Sequence, residues 1–188
     1  MARRRYRAWD AVAMDSHRGV AAGAAVVVEV LALRVTGEGG LAFRVLAGEL
    51  GGGRHPDAVA RELLGLSRDS EEHLLHSTSW RHEPAGRVLL TYACCPDPRP
   101  ETAAVSLHGE PLARGEGPAS PSPRRPRIEQ VAAHAVRHLA FLRNTDTTAR
   151  RVIDSVPGLA AVLASWSPAP AGQLPEPARD GQAVYASR

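Results

Sequence analysis

The stretch Leu74–Cys95, LLHSTSWRHEPAGRVLLTYACC, constrains the fold of this chain more than any other. Two runs rich in Thr, Val, Leu, Trp and Tyr flank Glu83-Pro84-Ala85-Gly86, whose Pro and Gly are turn formers, so the stretch predicts a β-hairpin. Side chains alternate between the two faces of a strand, which sets His76, Thr78, Trp80 and His82 on one face of the first run. With Pro84-Ala85 as the tip, Trp80 falls opposite Leu89, Thr78 opposite Thr91 and His76 opposite Ala93. That face carries hydrogen-bonding groups where core residues are expected, beside an indole. Trp80 is therefore expected to face the covered side of the sheet.

The remaining patterns supply the rest of an α+β domain. Ala24–Val35 is β-branched in its centre and reads as a strand, Thr36-Gly37-Glu38-Gly39-Gly40 is turn chemistry, and Leu41–Leu46 is the returning strand. After Gly51-Gly52-Gly53, Pro56 suits a helix start, with Val59, Leu63 and Leu66 on one side of Asp57–Leu66. Residues 96–126 are rich in Pro, Ser and Gly and predict a long internal loop, to which Ala103–Leu107 could add a short strand. Ile128–Arg143 is the clearest helix, with Ile128, Ala132, Ala135, Leu139 and Leu142 at helical spacing. Asp146 or Thr145 can cap a helix over Thr147–Ser155, which ends before Pro157, and Gly158–Trp166 forms a last short helix or the continuation of a kinked one. The expected architecture is a mainly antiparallel sheet of two hairpins packed against C-terminal helices. The domain spans 21–166, between a basic flexible arm at 1–20 and a disordered Pro/Ala-rich tail at 167–188.

Composition narrows the function classes. All 23 basic residues are Arg, and Ala, Gly and Pro are abundant; this is the coding bias of a GC-rich genome, so the Arg content is not by itself a functional signal. A net charge of +3 is too small to imply nucleic acid across the whole surface, and the Arg clusters at 3–7 and 124–127 read as solvated arms. Cys94 and Cys95 are adjacent and point to opposite faces of a strand, so two thiols in a reducing cytoplasm are expected rather than a disulfide. Ala21–Leu33 is the most apolar run, but it is interrupted by Glu29 and too short to span a membrane. The start, MARRRYRAW, has the look of a twin-arginine signal, but the apolar region such a signal needs is cut short, and the expected location is cytoplasmic.

No motif specifies a reaction. His134 and His138 are four residues apart on one helix face, a spacing at which neutral imidazoles can chelate a divalent metal, with His76 as the natural third ligand. The glutamate of HExxH is absent, and the competing reading is that both histidines border the apolar stripe and pack on the sheet; no bound metal or other cofactor is expected. Ser77, Thr78 and Ser79 lie near His76 and His82, but no GxSxG elbow surrounds them. Ala60-Arg61-Glu62-Leu63 echoes the core of a Nudix box, but Ala47 stands at its leading Gly, Gly53 at its preceding Glu, and Gly65-Leu66 where its metal-binding acids belong. Gly48, Gly51, Gly52 and Gly53 lack the spacing of a phosphate-binding loop and read as a connector.

The pattern His76-Ser77-Thr78-Ser79-Trp80-Arg81, then Leu90-Thr91-Tyr92, then His138-Leu139-Ala140-Phe141-Leu142 resembles uncharacterised actinobacterial proteins over Leu74–Leu142. That resemblance implies an origin and no activity. The expected function is a non-catalytic small-ligand or partner-binding domain, soluble and off the membrane. Its ligand would sit between the hairpin and the histidine-bearing helix, against His76, Thr78, Trp80, His134 and His138. The alternatives are a metal-dependent hydrolase or lyase built on the histidines, and a nucleic-acid-associated protein acting through its Arg-rich N-terminal arm.

Overall fold

A computed structural model describes residues 25–117 and 119–169. The expected arm at 1–20 lies outside these residues, as does the expected tail from 170 onward. Nine elements follow in chain order: β1 (Ala25–Val35), β2 (Leu41–Glu49), α1 (Pro56–Leu64), β3 (Leu74–Glu83), β4 (Arg87–Cys95), β5 (Val105–Leu107), α2 (Ile128–Thr145), α3 (Thr147–Ser155) and α4 (Leu159–Ala164). The strands form one sheet in the order β3-β4-β1-β2-β5. Both hairpins, β1–β2 and β3–β4, are antiparallel, and β5 adds antiparallel to β2. The hairpins join through a parallel seam between β1 and β4, where Glu29 pairs with Thr91 and Leu31 with Ala93. The architecture is thus α+β, mostly antiparallel, with one parallel pair at its centre.

The element ends have local causes. Pro56 opens α1, where His55 accepts a hydrogen bond from the Asp57 backbone N–H, and Gly65 closes it in the left-handed conformation at φ 73°. Asp146 accepts from the Ala149 N–H and caps α3, as the sequence pattern predicts. The Glu83–Arg87 turn is fastened by the Arg87 guanidinium, whose Nη2 lies 2.6 Å from Glu83 Oε2.

Alternation along β1 builds two cores. Leu31 and Leu33 face α2, α3 and α4, together with Phe43, Ala93, Leu139 and Ile153. Val28, Val30 and Ala32 face α1, together with Tyr92 and Cys94. The two thiols are buried on opposite faces and unbonded; burial pushes Cys94 well up, and Cys95 up to about 12, so both stay protonated at neutral pH. No helix among the described residues is long and apolar enough to cross a membrane. Beyond α4, the Trp166 ring stacks under the Arg137 guanidinium, and the buried Ala169 donates its N–H to the Arg137 carbonyl.

Two buried carboxylates, each held by arginine, tie the strands together. Glu29 in β1 is fully buried on the α2 side. Arg81 in β3 reaches it with both guanidinium branches, at 2.7 and 2.8 Å, and Thr91 in β4 donates to it at 3.0 Å. Three neighbouring strands are thereby joined through one carboxylate. On the α1 side, Asp97 follows β4 and accepts from Arg44 Nε at 2.9 Å and from the Arg99 backbone at 3.0 Å. Breaking a buried pair by removing one charge costs about 3–5 kcal/mol, because the other charge stays behind without a partner. Glu29→Gln should therefore destabilise the domain by that order in urea unfolding, while the paired change Glu29→Leu with Arg81→Met should recover most of the loss. An unchanged midpoint for Glu29→Gln would show that the network does not fasten the sheet.

Candidate functional site

The hairpin pairing follows the expected register from its open end up to Thr78 and shifts by one residue beyond it. His76 lies opposite Ala93 and Ser77 opposite Tyr92, but Ser79 lies opposite Thr91 and Trp80 opposite Leu90. Thr78 is the extra residue of a β-bulge, buried, with its hydroxyl donating to the Thr91 carbonyl at 3.2 Å. Past a bulge the two faces of a strand exchange. His76 therefore points towards α2, Arg81, three residues past Thr78, takes the inward position, and Trp80 points away, 68% exposed on the other face. The expectation that Trp80 faces the covered side is corrected: strict alternation holds only while the ladder has no inserted residue.

α2 brings its two histidines down onto this strand. The His76 and His138 rings are in contact, with centroids 5.0 Å apart, and Phe141 stacks on the other side of His138. His134 hydrogen-bonds the Thr78 backbone. Of the five residues the sequence pointed to, His76, Thr78, His134 and His138 come together, and Trp80 does not join them. The space expected between hairpin and helix is occupied by the imidazoles themselves. Among the described residues, no group of three or more His, Cys, Asp or Glu side chains is arranged to hold a metal ion. The Glu29–Arg81–Thr91 cluster occupies the next inward position of the sheet, about 7 Å further along the strands.

An open site lies at the start of β3 instead. A groove of about 350 Å³ runs between α1, the 65–73 connection and α3, at the edge of the sheet. Its polar wall includes Arg61, Arg68, Arg151 and Glu71, and Leu66, Leu75 and Val152 add apolar surface. Asp57 also lines it, but its carboxylate already accepts the Tyr92 hydroxyl at 2.6 Å. Burial, and then that hydrogen bond and charge, raise the Tyr92 phenol well above its usual range, so it remains a donor. His73 shares a 2.9 Å hydrogen bond with Ser70 at the same rim. By contrast, the guanidinium groups of Arg61, Arg68 and Arg151 make no hydrogen bond or ion pair among the described residues.

No family model, curated protein or solved structure matches the chain. The site is therefore read from its chemistry alone. Sequence reasoning missed the groove because Arg151 is far along the chain from Arg61 and Arg68, and because an all-Arg composition makes any single arginine uninformative.

The histidine cluster makes stability depend on pH in a definite direction. Burial, and then the neighbouring His76 and His134, depress His138 to about 4, and burial lowers His134 as well, against the pull of its bond to Thr78. Above about pH 6.5 the imidazole is neutral in both folded and unfolded chains and contributes no slope. Between about 6.5 and 4 the unfolded chain takes up a proton that the folded one refuses, so stability falls as pH falls, by about 2–3 kcal/mol for His138. Below that window the folded protein protonates too, and the loss levels off. Urea unfolding from pH 7 to 4.5 should show this decline, and His138→Leu should flatten it; an equal slope in both proteins would remove His138 as its cause.

Proposed function

We propose that this chain is a small-ligand-binding domain whose ligand occupies the groove between α1, the 65–73 connection and α3. The observation that carries this reading is the presence, in one groove of about 350 Å³, of three guanidinium groups with no hydrogen-bond or ion-pair partner among the described residues. Most other arginines of the described residues are engaged: Arg44 holds Asp97, Arg81 holds Glu29, Arg87 holds Glu83 and Arg143 holds Asp154. A groove of that size sits at the small end of the range for small-molecule sites, and its mixture of apolar wall and a few polar groups is what such sites use. Buried free thiols suit a reducing cytoplasm, where we place the protein.

The histidine cluster serves this reading as framework. It fixes α2 against β3, and α3 follows α2 directly, which sets Arg151 and Thr148 at the groove. Ligand-observed and amide NMR with a library of small fragments tests the assignment. Binders should perturb the amides of Arg61, Leu75 and Arg151, and Thr148→Trp, which places an indole at an exposed position of the rim, should abolish them. Fragments that map elsewhere, or that bind the Trp variant equally well, would overturn it.

A further inference from the structure

We propose that the occupant of this groove is a small molecule with a phosphoryl head on a short apolar body. The inference rests on the reading of the groove as the ligand site and adds the chemical class of the ligand. Its basis is the imbalance of charge in the lining. Among the described residues, Arg61, Arg68 and Arg151 supply three guanidinium groups with no hydrogen-bond or ion-pair partner, whereas of the two lining carboxylates Asp57 is taken by Tyr92 and Glu71 alone remains uncommitted. Each guanidinium presents five N–H donors in a planar fork and has no acceptor. A carboxylate offers two oxygens, enough for one or two such forks. A phosphoryl dianion offers three oxygens and a second charge, which matches three arginines better.

The apolar body follows from the opposite wall. Leu74 and Leu75 line the groove where β3 begins, and they point to opposite faces of the sheet, so apolar surface wraps its edge. Val152, from α3, adds to that surface. A bare inorganic anion would leave this wall in water, and a long chain would exceed the volume. Ser67 and Thr148 at the rim can donate hydroxyl hydrogen bonds to the oxygens of the head group.

Three probes with one ring and different heads test the proposal on the full chain at low ionic strength: phenyl phosphate, benzoate and benzyl alcohol. Titration calorimetry, with amide NMR to locate binding, should rank phenyl phosphate first, benzoate weaker and benzyl alcohol weakest. Arg68 and Arg151 are exposed, so Arg68→Gln and Arg151→Gln should leave the melting temperature unchanged and weaken phenyl phosphate about tenfold each. Glu71→Gln should tighten it by about twofold or more, because it removes the like charge. Benzyl alcohol or benzoate binding in the groove as tightly as phenyl phosphate would overturn the phosphoryl head while leaving the groove a ligand site. So would arginine variants that bind phenyl phosphate undiminished. If neither these probes nor the fragment library perturbs the groove, both readings fall together.

Discussion

The structure turns on a carboxylate in the middle of its sheet. Glu29 lies on the central strand, fully buried, and a carboxylate there is tolerated only with a cation and further donors beside it. The cation comes from two strands away: Arg81 on β3 spans β4 to reach Glu29 with both branches, and Thr91 on the intervening strand completes the shell. Arg81 faces inward because Thr78 is inserted into the ladder. Without that residue, alternation would place Trp80 inside and Arg81 outside. The magnitudes decide between these arrangements. Fully burying a large apolar side chain stabilises by about 1.5–3 kcal/mol, whereas leaving a buried charge without its partner costs about 3–5 kcal/mol. The indole is the side chain that goes to solvent.

This exchange of faces marks where the sequence could be read and where it could not. Glu83-Pro84-Ala85-Gly86 announces a turn because Pro and Gly fit little else, and the pairing of His76 with Ala93 follows by counting. A bulge has no such mark: Ser77-Thr78-Ser79 fits an uninterrupted strand equally well. The approach of His134 and His138 to His76 was legible, since helical and strand periodicities both specify direction. Depth was not legible, because spacing along a helix does not say how closely the helix approaches the sheet. The imidazoles therefore fill the interface instead of lining a cleft.

The parallel seam of β1 and β4 shows the same division. An apolar run from Val26 to Leu33, broken only by Glu29, marks a strand buried on both faces, as central strands are. Which neighbour it takes depends on how α1 carries the chain from the first hairpin to the second, and local pattern is silent on that. The groove lies further still from sequence logic. Arg61 belongs to α1, Arg68 to a connection and Arg151 to α3, and only the fold brings them to one place.

The inserted Thr78 has a further consequence, at the rim of the sheet. β3 is ten residues long and stands at an edge, where free backbone N–H and C=O groups would offer a template to a strand of another chain. An extra residue near its middle breaks the straight run into two short pieces with different facing, and Arg81 and Glu83 add charge to the outer one. The opposite edge is β5, three residues long and too short to recruit a partner. A single residue that orients a core arginine thus also interrupts the longer border of the sheet and makes it a poor place for crowded copies to aggregate.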